Sequence, residues 1–333
     1  MRNLLLSRDE TAARIARGDV MVIAGKEELL ATLPRGTWIG GTTGYLMSEQ
    51  GGLTGSDALF CTVIESALQA RTVVLPAADL ATLASGRFAH GLTCILIPAF
   101  GQAHQRYALE AATFPDLFAQ PVMGWIAGVA VNEIGVRLPL VFDGTTGTAH
   151  ADAAALLHVE VAATLQPMLD IINPFESGHG PAISFEETGF SATQCRVDGR
   201  PVLLSRHLAE TGQHLELPLV ADYAGARINV SIRAVDPDTG EVTFYAPVVA
   251  GQAYHFARPL ADYAEAFAPH AGSGLQPEQM MACNCVLNYL YGSLEGKRTS
   301  GFVGPITFGE IAYVLLNQTL VVGWTELAAA AAA

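Results

Sequence analysis

The stretch VMVIAGKEELLATLPRGTWIGGTTGY, residues 20–45, decides the fold class. Its first five residues, 20–24, are apolar and rich in β-branched side chains, which predicts a buried strand. Residues 27–33 follow as a short helix that ends before Pro34, because the residue before a proline disfavours the helical conformation. A second strand then runs into a Gly-rich turn at 40–45. Strand, helix, strand and turn in this order are typical of an α/β layer.

The same alternation continues through the first half of the chain. A helix with the capping-box residues Ser7 and Glu10 precedes the stretch. Strands are predicted at 60–64, 72–75, 93–97, 124–130 and 139–142, and helices at 79–87 and 103–110. Residues 152–165 fit a helix at their start and a strand at their end, so both interpretations stay open. We therefore expect an α/β domain with a mixed or parallel sheet.

The pattern changes after residue 169. The loop-like segment NPFESGHGP, residues 173–181, contains two prolines and two glycines and marks a domain boundary. Beyond it, alternation predicts one strand at 226–234 and its hairpin partner at 242–245. A further strand is predicted at 251–257 and a helix at 258–267.

The expected fold class is thus α/β and α+β, with two domains whose mixed β-sheets are flanked by helices. The predicted domains are residues 1–175, which are α/β, and residues 176–327, which are α+β. The alanine run at 328–333 is taken as a tail outside both domains.

Composition excludes several classes of partner. The chain has 333 residues and a net charge of −14, and its densest basic spot is the pair Lys297-Arg298. Nucleic acid and anionic membrane surfaces require a basic patch, so neither is expected as a partner. Charged residues make up 15% of the chain, below the usual ~25%, which suggests that part of the surface is covered in a homo-oligomer.

Cysteine usage and hydropathy indicate the compartment. Five cysteines in a chain of this length do not suggest a disulfide framework, so we expect a reducing environment. The apolar run Leu4-Leu5-Leu6 is too short for a signal peptide, and no stretch is long enough for a membrane helix. The prediction is a cytoplasmic protein without membrane insertion.

The Gly-rich turn is the first candidate binding element. Its residues Gly41, Thr42, Thr43 and Tyr45 follow a predicted strand. Glycine lets a ligand approach the backbone, and N–H groups together with two hydroxyls can hold a carboxylate or phosphate. The alternative is a purely structural turn. A similar string at 143–147 is either an echo of the first or chance.

The second candidate element lies near the end of the chain. Glu310 is a lone carboxylate in an apolar run, which is typical of a site residue or of a buried hydrogen-bonding group. Asn317 has the same two interpretations. Cys283 and Cys285 form a C-x-C pair that fits redox chemistry, a metal or simple burial, and no complete set of metal ligands accompanies them.

Nine histidines are scattered without metal-ligand spacing. His179, in a flexible loop near the predicted boundary, is the histidine that we select as an axial haem ligand or pocket residue. His207, His214 and His255 are alternatives.

Three segments of the second half resemble one known family. They are FYAPVVAGQAYHFA, ACNCVLNYLYG and SGFVGPITFGEIAYVLLNQTL, and they resemble the C-terminal domain of FIST sensory proteins. The matching positions are Gly251, Cys283, 301–302, 308–311 and 317–320. The turn at 39–45 resembles that of the FIST N-terminal domain, with Gly41 in place of the usual Cys and Tyr45 in place of the usual Glu.

The resemblance spans residues 37 to 320 and implies a stand-alone, divergent relative. It implies a sensory module that binds a small metabolite such as an amino acid, or haem in some members, and that acts through a separate signalling protein. We predict a ligand cleft between the Gly-rich turns and the Glu310 region. Its predicted ligand-binding residues are Gly41, Thr42, Thr43, Tyr45, Cys283, Glu310 and Asn317. The alternatives are a cysteine- or metal-dependent enzyme, a haem sensor and a structural assembly subunit.

Overall fold

The computed structural model describes residues 1–223, 226–267, 279–299 and 301–328. It shows a mixed α/β fold in which strands dominate and helices are short. The α-helices are α1 (Arg8–Ala16), α2 (Glu27–Leu30), α3 (Gln102–Glu110), α4 (Leu204–Thr211) and α5 (Val286–Tyr291). Short 3-10 helices lie at Ala77–Thr82, Ala111–Thr113, Leu117–Ala119 and Val131–Glu133.

The strands are numbered in chain order. Those before residue 175 are β1 (Arg2–Leu6), β2 (Met21–Gly25), β3 (Trp38–Thr42), β4 (Tyr45–Ser48), β5 (Gly51–Thr54), β6 (Leu59–Val63), β7 (Ala67–Pro76), β8 (Gly91–Pro98), β9 (Val122–Ala127), β10 (Val141–Asp143), β11 (Thr148–His150), β12 (Ala153–Val161) and β13 (Leu165–Ile172). Those after it are β14 (Ile183–Ser184), β15 (Gly189–Ala192), β16 (Gln194–Val197), β17 (Arg200–Leu203), β18 (Leu219–Tyr223), β19 (Ala226–Val230), β20 (Ile232–Val235), β21 (Val242–Val248), β22 (Tyr254–Phe256), β23 (Met281–Cys285), β24 (Gly304–Thr307), β25 (Glu310–Ala312), β26 (Val314–Leu316) and β27 (Leu320–Leu327).

These strands form five sheets. Sheet 1 has the order β1-β6-β2-β3-β10-β11, sheet 2 the order β7-β12-β8-β9-β25-β26, and sheet 3 the order β13-β27-β23-β24-β4-β5. Sheet 4 has the order β17-β16-β14-β22-β18-β19, and sheet 5 the order β15-β21-β20. Neighbours are antiparallel except for three parallel pairs, β2 with β3, β8 with β9, and β23 with β24.

Sheets 1, 2 and 3 share one apolar core. Ile39 of sheet 1, Leu96 and Trp125 of sheet 2 and Met281 and Val321 of sheet 3 belong to the same buried cluster. Helices α1 and α2 cover the other face of sheet 1, and α3 covers the other face of sheet 2. Sheets 1 and 2 are therefore buried on both faces, as mixed sheets with parallel pairs usually are.

The end of the chain completes sheets that begin in the first half. Strand β24 pairs with β4, β25 with β9, and β27 with β13. Sheets 4 and 5, in contrast, are built entirely from residues 183–256, which we call the inserted segment, and have a core of their own. The predicted division at residues 175 and 176 therefore does not separate one set of sheets from another, since sheets 2 and 3 use strands from both sides.

Several predicted elements are confirmed. Helix α1 begins with the predicted capping box, in which the Ser7 backbone N–H donates to Glu10 Oε2 at 2.9 Å and the Glu10 N–H donates to Ser7 Oγ at 3.3 Å. Strands β20 and β21 form the predicted hairpin. The open segment 152–165 contains strand β12, which lies between β7 and β8 and is apolar on both faces, so its alternation is weak.

Other predictions were wrong. The predicted strand 226–234 is two strands, because the Ser231 backbone N–H donates to Asn317 Oδ1 at 3.1 Å and the chain passes there from sheet 4 to sheet 5. The predicted helix 79–87 is the 3-10 helix Ala77–Thr82. Residues 258–267 contain no α-helix. Residues 329–333 of the alanine tail lie outside the described residues.

No helix within the described ranges combines the length and the apolar character that crossing a membrane requires.

Fragments test the shared sheets. A chain of residues 1–175 leaves β13 without its partner and exposes one edge each of β4 and β9, so we expect it not to unfold cooperatively in urea when followed by circular dichroism. A fragment spanning 180–258 holds all of sheets 4 and 5 with their core and is expected to unfold cooperatively. Cooperative unfolding of 1–175 at the midpoint of the whole chain would contradict this arrangement.

Candidate functional site

The Gly-rich turn joins two sheets. Thr43 and Gly44 connect the end of β3 in sheet 1 to the start of β4 in sheet 3. A Cβ atom on Gly44 would lie 2.7 Å from both the N and the Cα of Ala130, so only glycine permits this close approach. The Thr42 hydroxyl accepts from the Leu140 N–H at 2.9 Å, and the Thr43 hydroxyl donates to the Ile306 carbonyl of sheet 3 at 2.5 Å. The turn is thus rigidly held.

The turn borders a cleft of about 500 Å³. We call it the Thr43 cleft; Lys26, Thr43, Gly44, Thr54, Val129 and Asn132 line it. Lys26 follows β2, Thr43 follows β3 and Val129 follows β9. The cleft therefore lies at the carboxyl ends of three strands that each belong to a parallel pair, which is where open α/β sheets bind their ligands.

Charged side chains surround the Thr43 cleft in pairs. Lys26 Nζ lies 2.7 Å from Asp57 Oδ1, and Arg137 pairs with both Glu28 and Glu133. Together with Glu27, the lining holds two cations and four carboxylates. The surplus of carboxylates disfavours a multiply charged anion as the ligand.

Several backbone donors in the lining of the Thr43 cleft have no backbone partner across the residues that the structure describes. The N–H groups of Gly44 and Val129 are among them. A backbone N–H group in the lining of a cleft that lacks a protein acceptor can bind an oxygen atom of a ligand.

Glu310 lies elsewhere, in the interior between sheets 2 and 3. Its side chain is completely buried. Oε2 accepts from the Thr319 N–H at 3.1 Å and from the Thr319 hydroxyl at 2.8 Å, and Oε1 accepts from the Thr307 hydroxyl at 3.4 Å. Burial raises the pKa of Glu310 from its ordinary value of 4.5 to about 8, and the hydrogen bonds from Thr319, Thr307 and Cys285 only partly oppose that rise.

Cys285 lies beside Glu310 and is also fully buried. Asn317 Nδ2 donates to Cys285 Sγ at 3.7 Å. Burial, and then the Glu310 carboxyl, raise the pKa of Cys285 well above 9.0, so the thiol is protonated at neutral pH. Cys283 donates to the Gly124 carbonyl at 3.2 Å and packs in the core shared by three sheets.

Asn317 and Gln318 tie the inserted segment to this interior. The Asn317 Oδ1 atom accepts from the Ser231 N–H at 3.1 Å, and the Ser231 hydroxyl donates to Gln318 Oε1. Asn229 Nδ2 donates to the Gln318 carbonyl at 3.2 Å and also exchanges amide hydrogen bonds with Asn173 at 2.8 and 3.0 Å. These buried polar groups are partnered, as such groups need to be, and they join sheets 3, 4 and 5.

The structure does not bring all predicted site residues together. Thr42 and Thr43 line the Thr43 cleft. Gly41 lies beneath it against Trp125, and Tyr45 is buried with its hydroxyl accepting from the Val131 N–H at 2.9 Å. Cys283, Glu310 and Asn317 lie in the interior. The expected cleft between the Gly-rich turns and Glu310 was therefore wrong, because Thr307 and Thr319 occupy the space around the Glu310 carboxyl.

The second Gly-Thr-Thr-Gly string, residues 144–147, lies in sheet 1 at the opposite end of the strands from the Gly-rich turn. Asp143 Oδ1 accepts from the Thr145 N–H at 3.0 Å, and Asp143 Oδ2 accepts from the Thr146 hydroxyl at 2.7 Å. Since β10 runs antiparallel to β3, this turn sits at the amino end of β3 and not at the cleft. It is a side-chain-stabilised structural turn.

His179 lies on the surface. Its ring is exposed, and its Nε2 atom accepts from Arg258 Nη2 at 3.0 Å. Within the described ranges, no group of three His, Cys, Asp or Glu side chains is placed to hold a metal ion. The haem assignment of His179 stays a prediction.

Sequence reasoning missed Lys26, Asn132 and Arg137. They come from different segments of the chain, and the ion pairs of Lys26 with Asp57 and of Arg137 with Glu28 have no local pattern. One signal was available: Lys26 and Asn132 are polar residues that come shortly after buried strands of parallel pairs, and such positions converge at one edge.

Comparison with known proteins gives a family without a function. Residues 6–323 match DUF6976, described as a family of unknown function. The chain belongs to this family. No curated protein matches it. The resemblance to FIST proteins therefore stays a prediction.

The buried Glu310 carboxyl predicts a pH dependence. Its pKa is higher in the folded state than its ordinary 4.5, so folding favours the protonated form. That contribution is complete below about pH 4.5 and is lost as the pH rises through about 8. We expect the free energy of unfolding in urea to fall between these values by up to about 1.4 kcal/mol per pH unit.

The substitution Glu310→Gln keeps a neutral side chain and is expected to flatten this fall. The exposed substitution Glu187→Gln is the control for removing one acidic residue. An unchanged pH dependence in Glu310→Gln would show that the Glu310 carboxyl is not the source.

The thiols give a second test. All five cysteines are free and buried, so we expect the native protein to react slowly with dithionitrobenzoate and to release five equivalents only after denaturation. Rapid labelling of one equivalent in the native protein, mapped to Cys285, would contradict the buried, protonated state described above and favour thiol chemistry.

Proposed function

We propose that this protein binds a small polar metabolite in the Thr43 cleft and passes occupancy to a separate signalling partner. The observation that carries the proposal is the rigid Gly-Thr-Thr-Gly turn on a cleft of about 500 Å³ at the carboxyl ends of β2, β3 and β9. A cleft of this volume lies within the usual range for small-molecule sites.

The chemistry of the lining indicates the ligand class. The free N–H groups of Gly44 and Val129 favour an oxygen acceptor, and the Thr54 and Asn132 side chains add hydrogen-bonding groups. The surplus of carboxylates favours a neutral or zwitterionic molecule over a multiply charged anion. A small hydroxylated or amino-acid-like metabolite meets both requirements.

The position of the cleft supports a sensory role. Its lining comes from the ends of β2 and β3 in sheet 1, from the connection to β4 in sheet 3, and from the end of β9 in sheet 2. A ligand that contacts all of these strand ends binds most tightly to the conformation in which the three sheets approach one another most closely. Such a difference in affinity shifts the conformational equilibrium toward that conformation. The cytoplasmic location and the signalling partner are parts of this proposal and rest on the composition and on the FIST resemblance.

The other sequence hypotheses have less support from the geometry. The fully buried, protonated Cys285 does not favour the enzyme hypothesis. Self-association stays a prediction. The loop of residues 131–138, which borders the Thr43 cleft, is the apolar surface that self-association would use. Four of its residues are at least 41% exposed: Val131, Ile134, Val136 and Leu138.

The test is to identify what the protein retains when it is purified from cells. We expect denaturation to release one equivalent of a polar metabolite, which mass spectrometry then identifies. The substitution Asn132→Trp fills the Thr43 cleft and is expected to abolish retention, whereas Gln69→Trp, exposed on the edge strand β7, is expected to preserve it.

Equal retention by the Asn132→Trp and Gln69→Trp variants would overturn the assignment to this cleft. So would an empty wild-type protein whose melting temperature does not change with any of a panel of neutral and zwitterionic metabolites. A Soret band in the absorption spectrum would instead support the haem alternative.

A further inference from the structure

A second cleft, of about 300 Å³, lies where the inserted segment meets sheet 2. We call it the Phe100 cleft. Phe100, His104 and Phe308 line one side, and Phe190, Arg233 and Glu241 of the inserted segment line the other. Sites between separately packed units are a preferred place for small ligands.

Phe100 has an unusual backbone. It follows β8 and precedes α3, and its φ angle is +72°. A bulky non-glycine residue in this region is a conformational outlier, and such outliers cluster at ligand-binding positions. The conformation leaves 44% of the residue exposed while its ring packs edge-on against Phe308 at 5.8 Å. An apolar ring is thus displayed at the cleft at a conformational cost.

Arg233 presents an unpaired cation above this ring. Its guanidinium carbon lies 5.7 Å from the centroid of the Phe100 ring. In the part of the chain that the structure covers, Arg233 forms no ion pair and donates no hydrogen bond, and Glu241 on the same cleft is not within ion-pair distance of it. A guanidinium above an aromatic face is suited to a planar anion.

His104 supplies a buried donor. The residue is 8% exposed, and its Nδ1 atom accepts from the Phe100 N–H at 3.3 Å. Burial lowers the pKa of His104 to about 4, so the ring is neutral at pH 7 and Nε2 carries the proton. Nε2 has no hydrogen-bond partner among the described residues. An unpartnered buried N–H is rare and is expected where a ligand supplies the acceptor.

We propose that the Phe100 cleft is a second binding site, which takes a small planar aromatic molecule carrying a single anionic group. The ring lies among Phe100, Phe190 and Phe308, the anion pairs with Arg233, and His104 Nε2 provides a donor. Glu241 opposes a second negative charge. This site is separate from the Thr43 cleft and does not depend on the function proposed for it.

Calorimetric titration of the full chain tests the proposal with three probes that share one ring system. Indole-3-acetate carries the anion, indole carries no charge, and tryptamine carries a cation. We expect one equivalent of indole-3-acetate to bind, and indole and tryptamine to bind at least about tenfold more weakly.

Variants divide the site into its parts. Arg233→Gln is expected to weaken indole-3-acetate binding about tenfold or more, whereas Arg206→Gln, an exposed arginine paired with Glu210, leaves it unchanged. Glu241→Gln is expected to tighten binding. Phe100→Gly removes the displayed ring and relieves the positive φ angle, so we expect binding to be lost while the melting temperature stays the same or rises.

The proposal is overturned if indole-3-acetate does not bind, if it binds no better than tryptamine, or if Arg233→Gln and Phe100→Gly bind as the wild type does. The Asn132→Trp variant keeps the two proposals distinct. It fills only the Thr43 cleft, so it is expected to bind indole-3-acetate with wild-type affinity.

Discussion

Pairing of strand edges is the constraint on which the rest of this structure depends. Strands β4, β9 and β13 of the first half obtain partners from β24, β25 and β27 near the end of the chain. A buried backbone group left unpaired costs about 1–3 kcal/mol, so these three ladders together outweigh any single side-chain contact. The Glu310 carboxyl strengthens this connection between sheets, because its hydrogen bonds from Thr319 link β25 to the start of β27.

Both clefts lie at junctions between separately formed parts of the structure. The Thr43 cleft is found where the connections of sheets 1, 2 and 3 meet, and the Phe100 cleft where the inserted segment packs on α3. Each includes residues that follow a strand of a parallel pair. Most of the pairing in the molecule is antiparallel, so the few parallel pairs mark the edges at which loops converge. The interior between the two clefts holds buried polar groups that form hydrogen bonds mainly with one another.

Local patterns in the sequence predicted local structure well. The capping box of α1, the strand that leads into the Gly-rich turn, and the β20–β21 hairpin each depend on a few neighbouring residues. The break at Ser231 depends instead on Asn317, which is 86 positions away and has no trace in the alternation of residues 226–234. For the same reason the sequence around Glu310 does not show whether a ligand or Thr319 donates the hydrogen bonds that this carboxylate accepts.

The Thr42–Thr43 part of the first site was predictable because glycine and threonine after a strand have a direct physical meaning. Its charged rim was not, since Lys26 and Arg137 become neighbours only through the packing of sheets. The Phe100 cleft was not predicted either. A phenylalanine with a positive φ angle looks like any other in a sequence, and the strain becomes visible only in the backbone.

The shared sheets also order the events of synthesis on the ribosome. Strand β9 ends at Ala127, but its partner β25 begins at Glu310. At ordinary elongation rates the first half therefore waits roughly 10–40 s with an open, apolar edge before its partner emerges. The inserted segment is completed during that interval and needs no later residue for its own sheets. Sheet 1 also needs no later residue, so sheets 2 and 3 are the last to be completed, and the open edges of β4, β9 and β13 are the part that a chaperone would have to shield.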